Sequence, residues 1–504
     1  MKYYKNNTMR HHFLLITLCI FTLSARSQSL SDYGAPFIKY YSHKEYGGSA
    51  QVWCSVQDQR GFMYFGDNTG ILEFDGKAWS KIPTANNTTV YSLAVDSLGS
   101  IYVGAVNEFG YLQPNDSGEL KYISLSRKFP EEDLNFSGVS SIYTSSNGVY
   151  FFSDKSVFRY YQNSLSKMSI DLRGFTPFLI NDDICVFDQS QGICIFQDST
   201  LIPLKGLEDI SKSFRNGLYF HNDDIVYTDT DNKLSIYNIV TAKYNEFSTN
   251  AKDYLKVHAI RRVITYIDED KFAVATRTGG IVILSRSGEI IKIINQDNGI
   301  PSGDIYSIYV DDYKNFWVTL SSGIVKIDIN YPITIFDSRQ NINNYVLSYY
   351  TLNNTRYIGT LGELFVLPDS KYANIELSKV NSFTSSCWDL EYFDNMLFGS
   401  GYGGIQVIHE TTARQVFALP TNETFQCMKE NTRFPNVLFF GSGSSLGYLR
   451  INRDANYDNV KVIESFVFPE IKSSIFEITV DKNGNLWANS RYGGIYYIRF
   501  LDND

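Results

Sequence analysis

The segment Ile475-Phe-Glu-Ile-Thr-Val-Asp-Lys-Asn-Gly-Asn-Leu-Trp-Ala-Asn-Ser-Arg-Tyr-Gly-Gly-Ile495 sets a pattern that recurs along the chain. An alternating strand ends at Asp481, a polar turn follows, a second strand carries Trp487, and a Gly-apolar pair opens a third. Val52 to Leu72 keeps this order with Asp58, Gly61, Met63-Tyr-Phe-Gly66 and Gly70-Ile-Leu72. Val90 to Leu112 keeps it with Asp96, Gly99, Ile101-Tyr-Val-Gly104 and Gly110-Tyr-Leu112, and Ile305 to Val325 with Asp311, Asn315, Phe316-Trp-Val-Thr319 and Gly323-Ile-Val325. Self-similarity of this length marks a repeat protein.

With the second strand as a ruler, eleven units carry the markers Tyr64, Tyr102, Tyr150, Val186, Tyr227, Ala273, Trp317, Tyr357, Leu397, Phe439 and Trp487. Their mean spacing of about 42 residues suits four-stranded propeller blades. The units at Val186 and Tyr227 are weak and keep only apolar alternation and polar turns. Asp tolerates turn geometry and bonds the backbone ahead of it, Gly supplies positive φ, and Tyr or Trp fills the gap between neighbouring sheets. Fourth strands are variable, with Ile333-Thr-Ile-Phe336 and Lys461-Val-Ile463 as examples. No segment after the N-terminus has a useful helical period, which excludes helical repeats.

The fold class is therefore all-β: a β-propeller of about eleven four-stranded blades. Seven units from Val52 to about Asp337 form one ring, and four from Val346 to Phe500 begin a second, incomplete one. The domain boundaries expected are 1–27 for an export signal, 28–338 for the first propeller and 339–504 for the partial second. Phe37-Ile-Lys-Tyr-Tyr41 has no unit of its own and is expected to complete the last blade of the first ring, removing an exposed edge. Four blades make a small ring, and the chain stops after Leu501-Asp-Asn-Asp504, which suggests a fragment of a longer parent.

The bulk composition agrees. In 504 residues 43% are hydrophobic and 15% aromatic, with 37 Tyr and 35 Phe, an excess that favours pleated, packed surfaces. The formal net charge of −9 and the lack of a Lys/Arg cluster exclude a broad nucleic-acid footprint. Lys2, Lys5 and Arg10 precede the apolar run Phe13 to Leu23, and Ala25 and Ser27 suit cleavage before Gln28. That run is too short to span a bilayer comfortably, and no later segment approaches a membrane span. After removal of Cys19 with the signal, Cys54, Cys185, Cys194, Cys387 and Cys427 remain. Their odd number and wide spacing give neither a disulfide framework nor a zinc site. Cys185 and Cys194 could pair across neighbouring strands, but buried free thiols are the simpler reading.

The units resemble the two-component regulator propeller repeat. Asn298-Gly-Ile-Pro-Ser302, Ile305-Tyr-Ser-Ile308, Asp311-Asp312, Phe316-Trp-Val-Thr319 and Gly323-Ile-Val325 carry the resemblance, together with the opening Ile38 to Tyr46, Val52-Trp53 and Gln57-Asp-Gln-Arg-Gly61. It covers essentially the whole mature chain, loosely in the middle units. It implies a periplasmic sensor whose parent has two seven-bladed propellers, a triple-tyrosine β-sandwich and a membrane helix anchoring it in the inner membrane. The parent's output module would be a histidine kinase or a DNA-binding regulator. This chain ends before the last three parts, so output activity is expected only of the parent, for which the resemblance also allows a homodimer.

Constellations for chemistry are sparse. Asp229-Thr-Asp-Asn-Lys233 lacks the Gly and distal Glu of a calcium loop. Gly401-Tyr-Gly-Gly404 and Gly441-Ser-Gly-Ser-Ser-Leu-Gly447 lack the Lys-Ser/Thr and helix of a phosphate loop, and both fall at blade hairpins. His11, His12, His43, His221, His258 and His409 show no ligand spacing outside the signal, so no metal and no cofactor are implied. Arg261-Arg262 and Arg277 read as solvating a loop. The candidate ligand-binding residues are Trp53, Tyr91, Tyr306, Trp388 and Phe476, which open the innermost strands where blades face the axis. Such aromatics can stack on sugar rings, although inter-blade packing is the commoner role for them. The function expected is a non-enzymatic, exported sensing propeller that binds an oligosaccharide or another small extracellular cue. An exported glycoside hydrolase or lyase and a protein–protein scaffold are the alternatives, and fold alone does not choose among them.

Overall fold

The computed structural model describes residues 34–501, apart from 131–135, 170–176, 189–190, 198–199, 205–215, 221–222, 230–232, 302, 330–332, 368–376, 384, 421 and 453–454. The proposed export signal, with His11, His12 and Cys19, lies outside the described residues, as do His221 and the centre of the Asp229–Lys233 turn. Among the described residues are eleven antiparallel sheets, ten of four strands and one of three. They fall into two compact units, Met1–Ile335 and Phe336–Asp504. All eleven marker residues lie in the second strand of their sheet. The protein is a β-propeller.

In the first unit, blade 1 is built from Val52–Gln57, Met63–Asp67, Gly70–Phe74 and Trp79–Ile82. Blades 2 to 7 begin at Val90, Val139, Phe178, Asn216, Ile260 and Ile305. Each blade's inner strands pack on the next, and the first strand of blade 7 packs on that of blade 1, so the ring closes. The closing blade takes its outer strand from Phe37–Tyr41, which pairs antiparallel with Gly323–Asp328 in the register Phe37↔Asp328 to Tyr41↔Ile324. This corrects the reading of Ile333–Phe336 as a fourth strand, because that position is already occupied. Ile335 instead forms an isolated bridge to Ala35. The seam is apolar: Tyr41, Trp317 and Ile324 interlock with Val52, Phe65, Leu72 and Phe74, and Tyr41 stacks on Trp317 at 6.0 Å. Across it, Gln57 Oε1 accepts from the Asp312 amide at 2.9 Å.

The repeat grammar has a structural cause. In blade 7 the Asp311 carboxylate accepts the amides of Tyr313 (2.9 Å) and Asn315 (2.8 Å) and the indole N–H of Trp317 (3.0 Å). Asp58 and Asp96 do the same for their turns and for the phenols of Tyr64 (3.2 Å) and Tyr102 (3.1 Å). One carboxylate thus shapes the hairpin and holds the polar tip of an aromatic whose body is buried against the next blade. The turn needs positive φ at its fourth residue: Gly61 (85°), Gly99 (87°) and Gly484 (77°) supply it, and Lys314 (65°) adopts it without being glycine. The small residue after the aromatic is also explained. A Cβ on Gly66, Gly104, Gly359 or Gly441 would come within 2.6–2.8 Å of Val90, Val139, Cys387 or Ile475, each the first strand residue of the following blade.

The second unit holds blades 8 to 11, beginning at Val346, Cys387, Phe425 and Ile475, with first strands packed in that order. Blade 11 has three described strands, Ile475–Val480, Leu486–Ser490 and Gly494–Ile498, rather than the four expected. Trp487 and Ile495 are 45% and 66% exposed, where Trp317 and Ile324 at the same positions of blade 7 are 4% and 0%. The fourth strand of blade 10 is Val462–Val467, longer than the Lys461–Ile463 stretch predicted. Two short α-helices, His43–Tyr46 and Lys252–His258, leave no helical period in the sequence because each is two turns or less.

All five described cysteines are free thiols. Cys185 and Cys194 lie on neighbouring strands but not opposite each other: Cys185 faces Ile195 and Cys194 faces Val186. Burial pushes the Cys54, Cys185 and Cys387 thiols up to about 12 and raises Cys427 likewise.

In urea titrations, Asp311→Ala lowers stability by about 2–4 kcal/mol through loss of buried charge-assisted bonds, whereas Lys314→Gly raises it by about 1 kcal/mol by relieving left-handed backbone. Iodoacetamide at pH 8 leaves Cys54, Cys185, Cys194, Cys387 and Cys427 unmodified in the native protein and alkylates all five after unfolding, as mass spectrometry of peptides would show.

Candidate functional site at the channel mouth

In the closed first ring the first strands are innermost, so the second residue of each borders one mouth of the central channel. In blades 6, 7, 1 and 2 of the first ring that position holds Arg261, Tyr306, Trp53 and Tyr91. These four form a contiguous arc. The Arg261 guanidinium lies 5.7 Å from the Tyr306 ring centre, Tyr306 is 4.5 Å from Trp53, and Trp53 meets Tyr91 edge-on at 5.0 Å. All four are half-buried. Beyond Tyr91, blade 3 contributes Gly138, whose Cβ would sit 3.0 Å from the Tyr91 ring.

Neighbouring loops fix the arc. Gln51 Nε2 donates to the Tyr306 hydroxyl at 2.8 Å, and the Trp53 indole donates to Asn68 Oδ1 at 2.8 Å. Asn68 in turn donates to Ser49 Oγ at 3.2 Å. The buried Asp67 carboxylate shapes this turn by accepting the amides of Ser49 and Thr69, each at 2.6 Å. Arg261 pairs with Asp304 at 2.6 Å, and its buried Nε has no hydrogen-bond partner.

A cavity of about 410 Å³ opens between blades 6 and 7, beside this arc. Thr276, Arg277, Thr278, Gln296, Asp304 and Ser321 supply its polar lining. Tyr254, on the short helix before blade 6, donates to the Gly279 carbonyl at 2.7 Å and lies 4.3 Å from His258. Burial raises the Tyr254 phenol, and the nearby Asp297 carboxylate adds to this. The cavity, a volume within the small-molecule range, offers hydroxyl and amide partners and the Arg277 guanidinium, and it meets the arc through Asp304, which pairs with Arg261.

Of the five predicted ligand-binding residues, Trp53, Tyr91 and Tyr306 come together here. Trp388 and Phe476 belong to blades 9 and 11 of the second unit, are not on adjacent blades, and share no ring contact. Phe476 is 47% exposed. Sequence reasoning missed Gln51, Asn68 and Asp304 and took Arg261 for a loop cation. The signal for Arg261 was present: aligned on Val52, Val90, Ile260 and Ile305, the next position reads Trp, Tyr, Arg, Tyr. Among the described residues no group of three His, Cys, Asp or Glu side chains could hold a metal ion, and no helix is long and apolar enough to cross a membrane.

No protein-family profile and no curated protein matches the chain. Solved structures do. The extracellular domain of the hybrid two component system BT3049 from B. thetaiotaomicron aligns over 93% of this chain and 67% of its own length, with 16% identity and a TM-score of 0.62. The chain shares the fold of that extracellular domain. The corresponding domain of BT4673 from the same organism aligns over 93% and 66% at 15% identity and a TM-score of 0.44. Virginiamycin B lyase from Staphylococcus aureus covers 58% of this chain and 98% of its own at 14% identity and a TM-score of 0.44. The chain therefore spans about two thirds of the BT3049 domain, and the resemblance read in its repeats holds at the level of fold.

Proposed function

We propose that this chain is the ligand-sensing propeller region of an exported signal-transduction regulator, and that its cue is a small saccharide bound at the channel mouth of the first ring. The observation that carries the reading is the arc Tyr306–Trp53–Tyr91, whose rings are held by Gln51 and Asn68 next to a hydroxyl- and amide-lined cavity. Rings fixed in this way stack on a sugar at little entropic cost, while fixed polar groups select its hydroxyls. The fold it shares with an extracellular regulator domain supports a sensing role. The apolar run at Phe13–Leu23 supports export.

Binding, rather than catalysis, fits the charge pattern. Asp304, the carboxylate lining the cavity, is paired with Arg261 at 2.6 Å, and no second carboxylate lines the cavity to work with it. Ligand held between blades would favour one blade packing over another, and a membrane-proximal part of the regulator would read that population shift.

The test is a calorimetric screen of oligosaccharides against the whole chain, with Trp53→Ala, Tyr306→Ala and Trp388→Ala in parallel. Affinity should fall at least about tenfold in the first two, equivalent to roughly 1.4 kcal/mol, and stay unchanged in Trp388→Ala. Unchanged affinity with a lowered melting temperature in Trp53→Ala would reduce the arc to packing, and turnover of the sugar would make the protein an enzyme.

A further inference from the structure

The repeat places a fifth residue beside the arc, an inference that rests on the binding role just proposed. In blades 7, 1 and 2 the ladder between first and second strands skips one residue, and the residues skipped are Tyr306, Trp53 and Tyr91. Such a bulge turns a side chain out of the ladder. Blades 8 to 11 break register at the same point, so the bulge belongs to the repeat and only its residue varies. Blade 3 skips Ser140. The turn after the second strand stands at the same end of the blade. It begins at Asn68 in blade 1 and at Asp154 in blade 3, one residue past the partners of Val52 and Val139.

In blade 1 this turn is covered. The Trp53 indole donates to Asn68 Oδ1 at 2.8 Å, and Asn68 Nδ2 donates to Gln51 Oε1 at 3.4 Å. In blade 3 both covering side chains are missing, because Ser140 stands for Trp53 and Gly138 for Gln51. Ser140 is exposed, and its hydroxyl reaches only the Phe152 carbonyl, at 3.4 Å. Asp154 is half-buried. Its Oδ1 accepts the Ser137 amide at 3.3 Å, and its Oδ2 accepts no hydrogen bond among the described residues. Lys155, next on the turn, is exposed and forms no ion pair with it. The Tyr91 ring borders the same place, 3.0 Å from where a Cβ on Gly138 would sit. The position that an indole N–H takes in blade 1 therefore has no donor in blade 3, and the acceptor at its turn is a carboxylate, the stronger partner.

A hydroxyl donor suits that carboxylate, and Ser140 can give or take a second hydrogen bond beside it. A sugar carries neighbouring hydroxyls on a ring whose face can lie against an aromatic, so it meets the carboxylate, the hydroxyl and Tyr91 together. We propose that blade 3 forms the hydroxyl-recognising end of the saccharide site: Asp154 accepts a sugar hydroxyl as Asn68 accepts Trp53 in blade 1, Ser140 bonds the adjacent hydroxyl, and Tyr91 meets the ring. Titration calorimetry on the whole chain tests it with neutral trisaccharides of glucose, galactose, mannose and xylose. Their O-methylated forms, which keep the rings and lose the donors, are titrated beside them. Asp154→Ala should weaken binding at least about tenfold, the loss expected of one hydrogen bond to a charged group. Ser140→Trp, which restores the covering indole of blade 1, should weaken it as much with the melting temperature unchanged or raised, a pattern that lost packing does not produce. Retained affinity in both blade 3 variants, with Trp53→Ala still losing it, would overturn the blade 3 end and leave the arc standing. Equal binding of the O-methylated sugars would overturn it as well. Failure of every sugar to bind would remove both readings.

Discussion

The structure depends on one recurring interaction: a turn carboxylate that grips the polar tip of an aromatic ring lodged between two blades. Asp311 with Trp317, Asp58 with Tyr64 and Asp96 with Tyr102 are the sharp cases. Each couples a local event, hairpin formation, to a long-range one, the fit of the next sheet. A ring alone would give apolar burial without fixing its depth, and a turn alone would leave the sheet face uncommitted. Joined, they set both the angle and the spacing of neighbouring blades. The glycine two residues beyond the ring (Gly66, Gly104) then lets the next first strand approach its backbone closely.

Ring closure turns this local rule into a rigid mouth. Phe37–Tyr41 comes from ahead of blade 1 and completes blade 7, so opening the ring would require stripping a paired strand and exposing the Tyr41, Trp317 and Phe74 cluster. The residues at the second position of each first strand are therefore held on inner strands rather than on loose loops. Function in a propeller accumulates at such positions because the scaffold holds them while their chemistry is free to vary.

Much of this was legible in the sequence because its causes are local. Asp, the turn glycine and the ring lie within a few residues of one another, so their pattern is plain in the units at Tyr64, Tyr102 and Trp487, and the spacing those units set locates the weaker ones. The fate of Phe37–Tyr41 was legible for a different reason: an orphan strand has one open edge to fill. Ile333–Phe336 was misread because its apolar alternation is indistinguishable from a fourth strand unless the competing strand is counted. At the site, the aromatic members were visible, since Trp and Tyr stand out at the head of an inner strand. Arg261 was hidden by its residue type: beside Arg262 it looks like a solvated pair, and only alignment on strand register places it in the arc. Trp388 and Phe476 show the converse error, because the same head-of-strand position does not bring them together when the intervening blade offers Gln426.

On the proposed function, a ligand settles where blades 6, 7, 1 and 2 meet the channel. Hydrogen–deuterium exchange with and without a bound saccharide tests this most directly, because it reports position regardless of affinity. Protection should appear at the heads of the first strands around Trp53, Tyr91, Arg261 and Tyr306 and in the loops bearing Asn68 and Thr278. Protection confined to the opposite turns at Asp58, Asp96 and Asp311, or to the second unit, would contradict it.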